Sequence, residues 1–114
     1  MKLLNADSAV VAREKIRDYL LNAAHPDNGG KAAFFIALGF RVEDWDALAA
    51  ALRQLARSTE IAETFESIHG RKYTVVGRLQ CPSGRLPVVR TVWIVERGEE
   101  IPRLVTAYPH ESKT

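Results

Sequence analysis

The chain has 114 residues, of which 46% are hydrophobic and 26% charged, and its formal net charge is +2 at pH 7. These values are typical of one globular domain, predicted over 1–114, that buries a core without disulfide or metal staples. Cys81 is the single cysteine, which excludes a disulfide framework and a multi-cysteine zinc site. No apolar run is long enough for a membrane helix or a signal peptide. We therefore expect a cytoplasmic protein with no membrane partner.

The first half of the chain carries helical patterns. Helices are predicted at three places: 12–22, 31–38 and about 43–57. Apolar residues recur at helical spacing in the first and third, and Gly39 ends the second, as glycine often does just after a helix. Residues 9–11 fit either a short strand or a first helical turn, and the sequence HPDNGG at 25–30 fits a loop.

The second half alternates with a period of two, which predicts strands. Alternation begins at Arg71 and continues to about Leu79, and two further strands are predicted at 86–96 and 101–109. The sequences CPSG and RG between them are typical turns. The predicted fold class is α+β: two to three N-terminal helices (helical half 1–58) pack on one face of a C-terminal antiparallel β-meander of three to four strands (sheet half 70–109).

A register follows if Pro82-Ser83 and Arg97-Gly98 are both two-residue turns. The open face of the sheet then collects these side chains: Lys72, Thr74, Arg78, Thr91, Trp93, Thr106 and Tyr108. The core face collects these: Tyr73, Val75, Leu79, Val88, Val92, Ile94 and Val105. Arg90 falls on the apolar face, so either it lies at an edge or a bulge shifts the register there.

The charges are unevenly spread in the sheet half. Residues 70–95 contain five cationic side chains and no Asp or Glu: Arg71, Lys72, Arg78, Arg85 and Arg90. Strands disfavour acidic residues in general, which is one explanation. The other explanation is that a polyanion docks on this part of the sheet.

The residue types present fit metal-free chemistry on RNA. The three histidines are not at metal-ligand spacing, and the predicted open face has no carboxylates, so we predict no metal site and no cofactor. Metal-free RNA cleavage needs a base, an acid, and cations or hydroxyls that stabilise the phosphorane. Such groups occur in HGRKY (69–73), RTVW (90–93) and TAY (106–108), although an ordinary sheet surface contains the same residue types.

Three stretches together resemble a known family. They are KIRDYLLNAAHPDNGGKAAFFIALGF, HGRKYTVVGRLQCPSGRLPVVRTVWIV and IPRLVTAYP, and the resemblance covers roughly residues 2–109. The family is an uncharacterised bacterial one, found as small standalone chains and as C-terminal domains of large polymorphic toxins. Its layout is similar to the superfamily of barnase, EndoU, colicin RNases and RelE toxins. That resemblance implies RNA cleavage without metal and a small cognate antitoxin or immunity protein as partner.

The family's motifs match this chain at these positions: Lys31, Gly70, Lys72, Tyr73, Arg90, Thr91, Trp93, Thr106, Tyr108 and Pro109. Cys81 replaces the usual glycine of the Gly-Pro-x-Gly turn. His69 stands where the family resemblance does not imply a histidine, which leaves His25 as the better candidate for a proton-transfer histidine.

The leading hypothesis is a ribonuclease-like toxin domain that gives 2′,3′-cyclic phosphate ends. The candidate catalytic residues are His25, Lys31, Lys72, Thr91, Thr106 and Tyr108, and the candidate substrate-binding residues are Arg71, Arg90, Trp93 and His69. Two alternatives stay open: a non-catalytic interaction module of a toxin–antitoxin-like gene pair, and a small-molecule or nucleotide-binding domain. The sequence does not indicate an oligomeric state.

Overall fold

Helices fill the first half of the chain and strands the second. The computed structural model describes residues 1–25 and 30–110, so the predicted loop at 25–30 lies mostly outside the described residues. The helices are α1 (Arg13–Lys15), which runs directly into a π-helical segment (Ile16–Leu20), α2 (Lys31–Ala37) and α3 (Trp45–Ser58). The strands are β1 (Ile61–Ser67), β2 (Gly70–Arg78), β3 (Val88–Glu96) and β4 (Arg103–Pro109). The predicted α+β class, with helices before an antiparallel sheet, is confirmed.

The helices form where apolar side chains repeat at helical spacing. In α3, Leu48, Leu52 and Leu55 are almost fully buried, and each stabilises the fold by roughly 1.5–3 kcal/mol. Ile16 and Leu20 anchor the π-helical segment in the same core. Gly39, at φ +99°, follows α2 as predicted, because a positive φ is accessible to glycine without strain.

The four strands form an antiparallel meander in the order β1-β2-β3-β4. The helices cover one face, where the core includes Val75, Val89, Trp93 and Ala107. The other face is not covered by a helix, and most of its side chains are partly exposed. Strand β1, the first of the meander, is the strand that sequence patterns did not locate.

The register between β2 and β3 differs from the prediction by one residue. Tyr73 pairs with Trp93 and Val75 pairs with Thr91. The predicted two-residue turn at Pro82-Ser83 is wrong, because residues 79–87 form a longer loop closed by a hydrogen bond from the Leu79 N–H to the Pro87 carbonyl (2.9 Å). A shift of one residue reverses the faces of a whole strand, so the predicted faces of β3 are wrong.

A change of register within the β3–β4 pair places Thr106 and Tyr108 of β4 on the open face, as predicted. The predicted two-residue turn at Arg97-Gly98 is also wrong, since the β3–β4 connection spans residues 97–102. Val92 pairs with Thr106 and Trp93 pairs with Leu104, which leaves Val105 as a bulge. Arg90, Thr106 and Tyr108 therefore all lie on the open face.

Short pieces of chain cover two sheet edges. Residues 9–11 form neither a full strand nor a helical turn: Val10 makes one parallel bridge to Arg103 beside β4. Lys2 makes an antiparallel bridge to Glu60, just before β1. Within the described ranges 1–25 and 30–110, no helix is long and apolar enough to cross a membrane.

Candidate functional site

A lysine at the start of α2 reaches over β4. The Lys31 ammonium donates hydrogen bonds to the Tyr19 hydroxyl oxygen (2.7 Å) and to Thr106 Oγ1 (3.0 Å). It also lies 5.6 Å from the centre of the Tyr108 ring, within the range of a cation–π interaction. An ammonium has three donors, so these two hydrogen bonds to described residues leave one donor that can meet a further acceptor.

Two aromatic side chains from the segment before α2 complete this side of the site. Tyr19 belongs to the π-helical segment and is half-buried, with its neighbours Ile16 and Leu20 holding the backbone in the core. The His25 ring packs edge-on against the Tyr19 ring, with 5.0 Å between ring centres and an angle of 87°. The imidazole therefore packs against Tyr19, whose hydroxyl accepts a hydrogen bond from Lys31.

Arg90, in β3, lies on the open face beside β4. Arg90 pairs directly with Tyr108 across the β3–β4 ladder. Its Nη2 donates to Glu63 Oε1 at 2.6 Å. Because Glu63 comes from β1 and Arg90 from β3, this ion pair crosses the open face above β2.

The charge state of Arg90 is firmly cationic. The hydrogen bond to Glu63 raises the pKa of Arg90 above its ordinary value, and interaction with Tyr108 acts in the same direction, while partial burial opposes both. Only 25% of the Arg90 side chain is exposed, so its orientation is set by these neighbours. A guanidinium held in this way presents paired donors that match a phosphate group.

These contacts place acid–base groups and cations around one position. An imidazole, an ammonium, a guanidinium and three hydroxyls come from segments that are far apart in sequence. They are His25, Lys31, Arg90, Tyr19, Thr106 and Tyr108. We refer to this group as the Lys31 cluster. Its chemistry suits an anion whose negative charge increases during a reaction.

Thr91 and Trp93 lie in the core, so their predicted placement on the open face is wrong. Thr91 Oγ1 donates to the Val75 carbonyl (2.8 Å) and accepts from Trp93 Nε1 (2.8 Å). Both side chains are fully buried. Their polar atoms are satisfied within the sheet, and we leave both residues out of the proposed site.

Three other candidates are near the sheet but outside the Lys31 cluster. Arg71 projects to the helix-covered side, where it pairs with Glu66, and hydrogen bonds to Tyr73 and Glu66 raise its pKa. His69 lies in the β1–β2 turn, where its carbonyl accepts from the Arg97 N–H. That turn is about 20 Å along β3 from Arg90. Lys72 does lie on the open face, one row of side chains away from Thr106.

Sequence reasoning missed Tyr19 and Glu63. Tyr19 shares the helical spacing of Ile16 and Leu20, so the pattern alone does not separate it from the core, although the hydroxyl of a tyrosine commonly stays hydrogen-bonded. Glu63 lies before the cationic stretch, in a segment that none of the predicted strands covers and that forms β1. The segment IAETFES has no period-two alternation of apolar and polar residues, so no local pattern places Glu63 on the sheet.

The described residues offer few metal ligands at this position. Within 1–25 and 30–110, no three His, Cys, Asp or Glu side chains are grouped so that they could hold a metal ion. The Lys31 cluster contains two fixed cations, and cations of this kind are suited to neutralising phosphate themselves.

Comparisons with known proteins give a family and a fold. The family model described as "Domain of unknown function (DUF6883)" matches residues 2–111. Among solved structures, the chain is similar to one in a contact-dependent growth inhibition toxin–immunity protein complex from Klebsiella pneumoniae 342, with a TM-score of 0.71 and 20% identity over 95% of this chain and 98% of that one. At this identity the match shows a shared fold. No curated protein matches the chain. The predicted resemblance to an uncharacterised family is confirmed, and the chain belongs to the DUF6883 family.

Proposed function

We propose that this chain is a ribonuclease-like toxin domain that cleaves RNA by internal transesterification. The observation that carries the proposal is the convergence of the Lys31 cluster from the π-helical segment, the start of α2, and strands β3 and β4. The shared fold with a chain from a toxin–immunity complex supports placing the protein in a toxin system.

The reaction needs one proton acceptor and one proton donor. The ribose 2′-oxygen attacks phosphorus and loses its proton, the bond to the 5′-oxygen breaks, and that oxygen takes up a proton. The products are a 2′,3′-cyclic phosphate and a free 5′-hydroxyl. His25 is the proposed proton acceptor, because imidazole accepts and returns protons near neutral pH, and the Lys31 ammonium is the proposed donor.

The other groups of the cluster bind the phosphate. Arg90 is proposed to contact two phosphate oxygens through its planar guanidinium. Thr106 and Tyr108 are proposed to donate hydrogen bonds to oxygens that gain charge in the phosphorane. Removing one such fixed donor typically slows an enzyme by about 10²–10³-fold.

A cleavage assay tests this proposal. Purified protein is incubated with total RNA and excess chelator, and the new 3′ ends are analysed chemically. We expect 2′,3′-cyclic phosphate ends from the wild type and at least about a hundredfold slower cleavage by Lys31→Met or Tyr108→Phe. Arg85→Ala is the matched control, because Arg85 is an exposed cation in the loop at 79–87. Equal cleavage by all variants, or none by the wild type, would end the proposal.

A second candidate function is a non-catalytic protein-interaction module. The structure with the shared fold contains both a toxin and an immunity protein, so its fold supports a protein partner for this chain as well. A small immunity-type protein is the proposed partner under both functions. Tight binding of an adjacent-gene product by a chain that cleaves no RNA would favour the module.

A further inference from the structure

An exposed aromatic side chain lies on the open face beyond the Lys31 cluster. Phe65, in β1, has 50% of its surface exposed. In register it is opposite Lys72 of β2, which in turn is opposite Ile94 of β3. The side chains of Phe65 and Glu63 are two residues apart on the same strand, so they lie on the same face, about 7 Å from each other. This exposed aromatic side chain is therefore accessible to a ligand.

The charges around Phe65 favour an anionic ligand. The strands place two acids on the open face, and each pairs with an arginine: Glu63 with Arg90 and Glu96 with Arg103. Lys72, directly beside Phe65, makes no ion pair among the described residues. The face is therefore net positive around an exposed aromatic ring.

We propose that Phe65 stacks on a nucleobase of the RNA and that Lys72 contacts the phosphate of the same nucleotide. This inference rests on the proposed ribonuclease function and extends it by naming a second nucleotide subsite. Glu63, which holds Arg90, is about 7 Å from Phe65, so the stacked base belongs to a nucleotide adjacent to the one whose phosphate meets Arg90. The strand of RNA then crosses the sheet from β4 towards β1.

Stacking also predicts a preference. Base–aromatic stacking accepts any base, because every base has a π-face, and preferences come from stacking strength. Purines have the larger ring surface, so the subsite is expected to favour them. The two acids diagonal to Lys72 on this face, Glu63 and Glu96, are each paired with an arginine, so neither forms an ion pair with Lys72 among the described residues.

Binding of a non-cleavable oligonucleotide tests the inference separately from catalysis. The probe is a short, fluorescently labelled 2′-O-methyl RNA rich in adenine, and a second probe has the same backbone with abasic positions. A 2′-O-methyl group cannot attack phosphorus, so affinity is measured without cleavage. The variants are Phe65→Ala, Phe65→Leu and Phe65→Trp, with Ile68→Ala as the control, since Ile68 is 78% exposed in the turn after β1.

The expected result separates stacking from apolar contact. Phe65→Ala and Phe65→Leu should both bind the adenine probe about tenfold more weakly, whereas Phe65→Trp and Ile68→Ala should bind it as the wild type does. The abasic probe should bind the wild type and Phe65→Ala equally. Thermal unfolding of each variant shows that it is folded.

Several results would overturn the inference, and they separate it from the proposed function. Wild-type affinity in Phe65→Ala, or in Phe65→Leu, would remove the stacking subsite while leaving RNA cleavage standing. A wild type that binds no oligonucleotide would remove both proposals. If Phe65→Ala left RNA affinity unchanged but converted a dimer to a monomer in sedimentation, Phe65 would be a contact between two copies of the chain.

Discussion

At the residue scale, the contacts of Lys31 explain why a lysine suits this position. The Tyr19 hydroxyl and Thr106 fix the ammonium from two sides, and among the described residues no acid is one of its hydrogen-bond partners. Arg90 differs, because Glu63 neutralises it and a phosphate must share or displace that carboxylate. We therefore propose separate roles for the two cations: Lys31 supplies a charge that no acid among the described residues pairs with, and Arg90 offers a fixed pair of donors.

The buried Thr91 supports the sheet, and this gives a stability prediction. Thr91→Val removes the hydrogen bond to the Val75 carbonyl and leaves the Trp93 N–H without its acceptor. We expect a loss of about 1–3 kcal/mol in the free energy of unfolding, measured with urea. RNA cleavage by the folded variant should match the wild type. Lost cleavage at unchanged stability would return Thr91 to the functional site.

The thiol of Cys81 gives a prediction about pH. Burial raises the pKa of Cys81 above its ordinary value, so less thiolate is present at any given pH. Alkylation by iodoacetamide should therefore be slower in the folded protein than in urea. The pH at which the alkylation rate reaches half of its maximum should also be higher for the folded protein. Identical pH profiles in the folded and unfolded protein would contradict this account.

At the element scale, the helices and the order of the strands followed from periodicity, but the register of β3 did not. The helical repeat in α3 and the glycine after α2 are local signals, and they were sufficient. Register depends on loop length, and the loop at 79–87 is fixed by a distant contact: the Ser83 N–H donates to the Leu38 carbonyl (3.1 Å). No local pattern in CPSG contains that contact, so Thr91 and Trp93 were assigned to the wrong face.

The hairpin between β1 and β2 depends on a glycine. A Cβ at Gly70, where φ is +146°, would meet the Val95 carbonyl oxygen and lie 2.8 Å from Glu96 Cα. Both neighbours are backbone of β3 and cannot move aside without breaking the ladder. Gly70→Ala should lower the free energy of unfolding by more than about 2 kcal/mol.

The control for this prediction is Gly98→Ala. Gly98 also has a positive φ (+80°), but a Cβ there meets nothing within 4 Å. Gly98→Ala should lower the free energy of unfolding by only about 1–2 kcal/mol, which is the strain of a positive φ for alanine. Urea unfolding of both variants measures the difference, and equal losses would show that β3 does not pack against Gly70 as described.

At the scale of the whole molecule, the site exists because three separate parts of the chain meet at β4. Lys31, Thr106 and Tyr108 could be selected from the sequence through a family resemblance, and His25 because His69 fits that resemblance less well. In the structure Lys31 contacts Thr106 and Tyr108, and His25 packs on Tyr19, which accepts a hydrogen bond from Lys31. Tyr19 and Glu63 could not be selected, because each became visible only when its neighbour in space was known. Composition alone indicated that the sheet is rich in cations, but it did not indicate where on the sheet the side chains of the Lys31 cluster converge.

A toxic activity should be visible when the chain is produced in bacteria. We expect induction of the wild type to arrest growth and induction of Lys31→Met to permit it, since the variant lacks the proposed proton donor. Colony counts after induction measure the effect, with Arg85→Ala as a variant that stays toxic. Unimpaired growth with high wild-type yield would argue for the interaction module instead.

We propose that the Lys31 cluster accelerates RNA cleavage itself and does not only bind RNA. The most direct measurement is the single-turnover cleavage rate of one defined RNA at saturating protein, with chelator present, for the wild type and Lys31→Met. We expect a rate at least about a hundredfold lower for Lys31→Met, with the same cyclic phosphate product. Equal rates at saturation would contradict it.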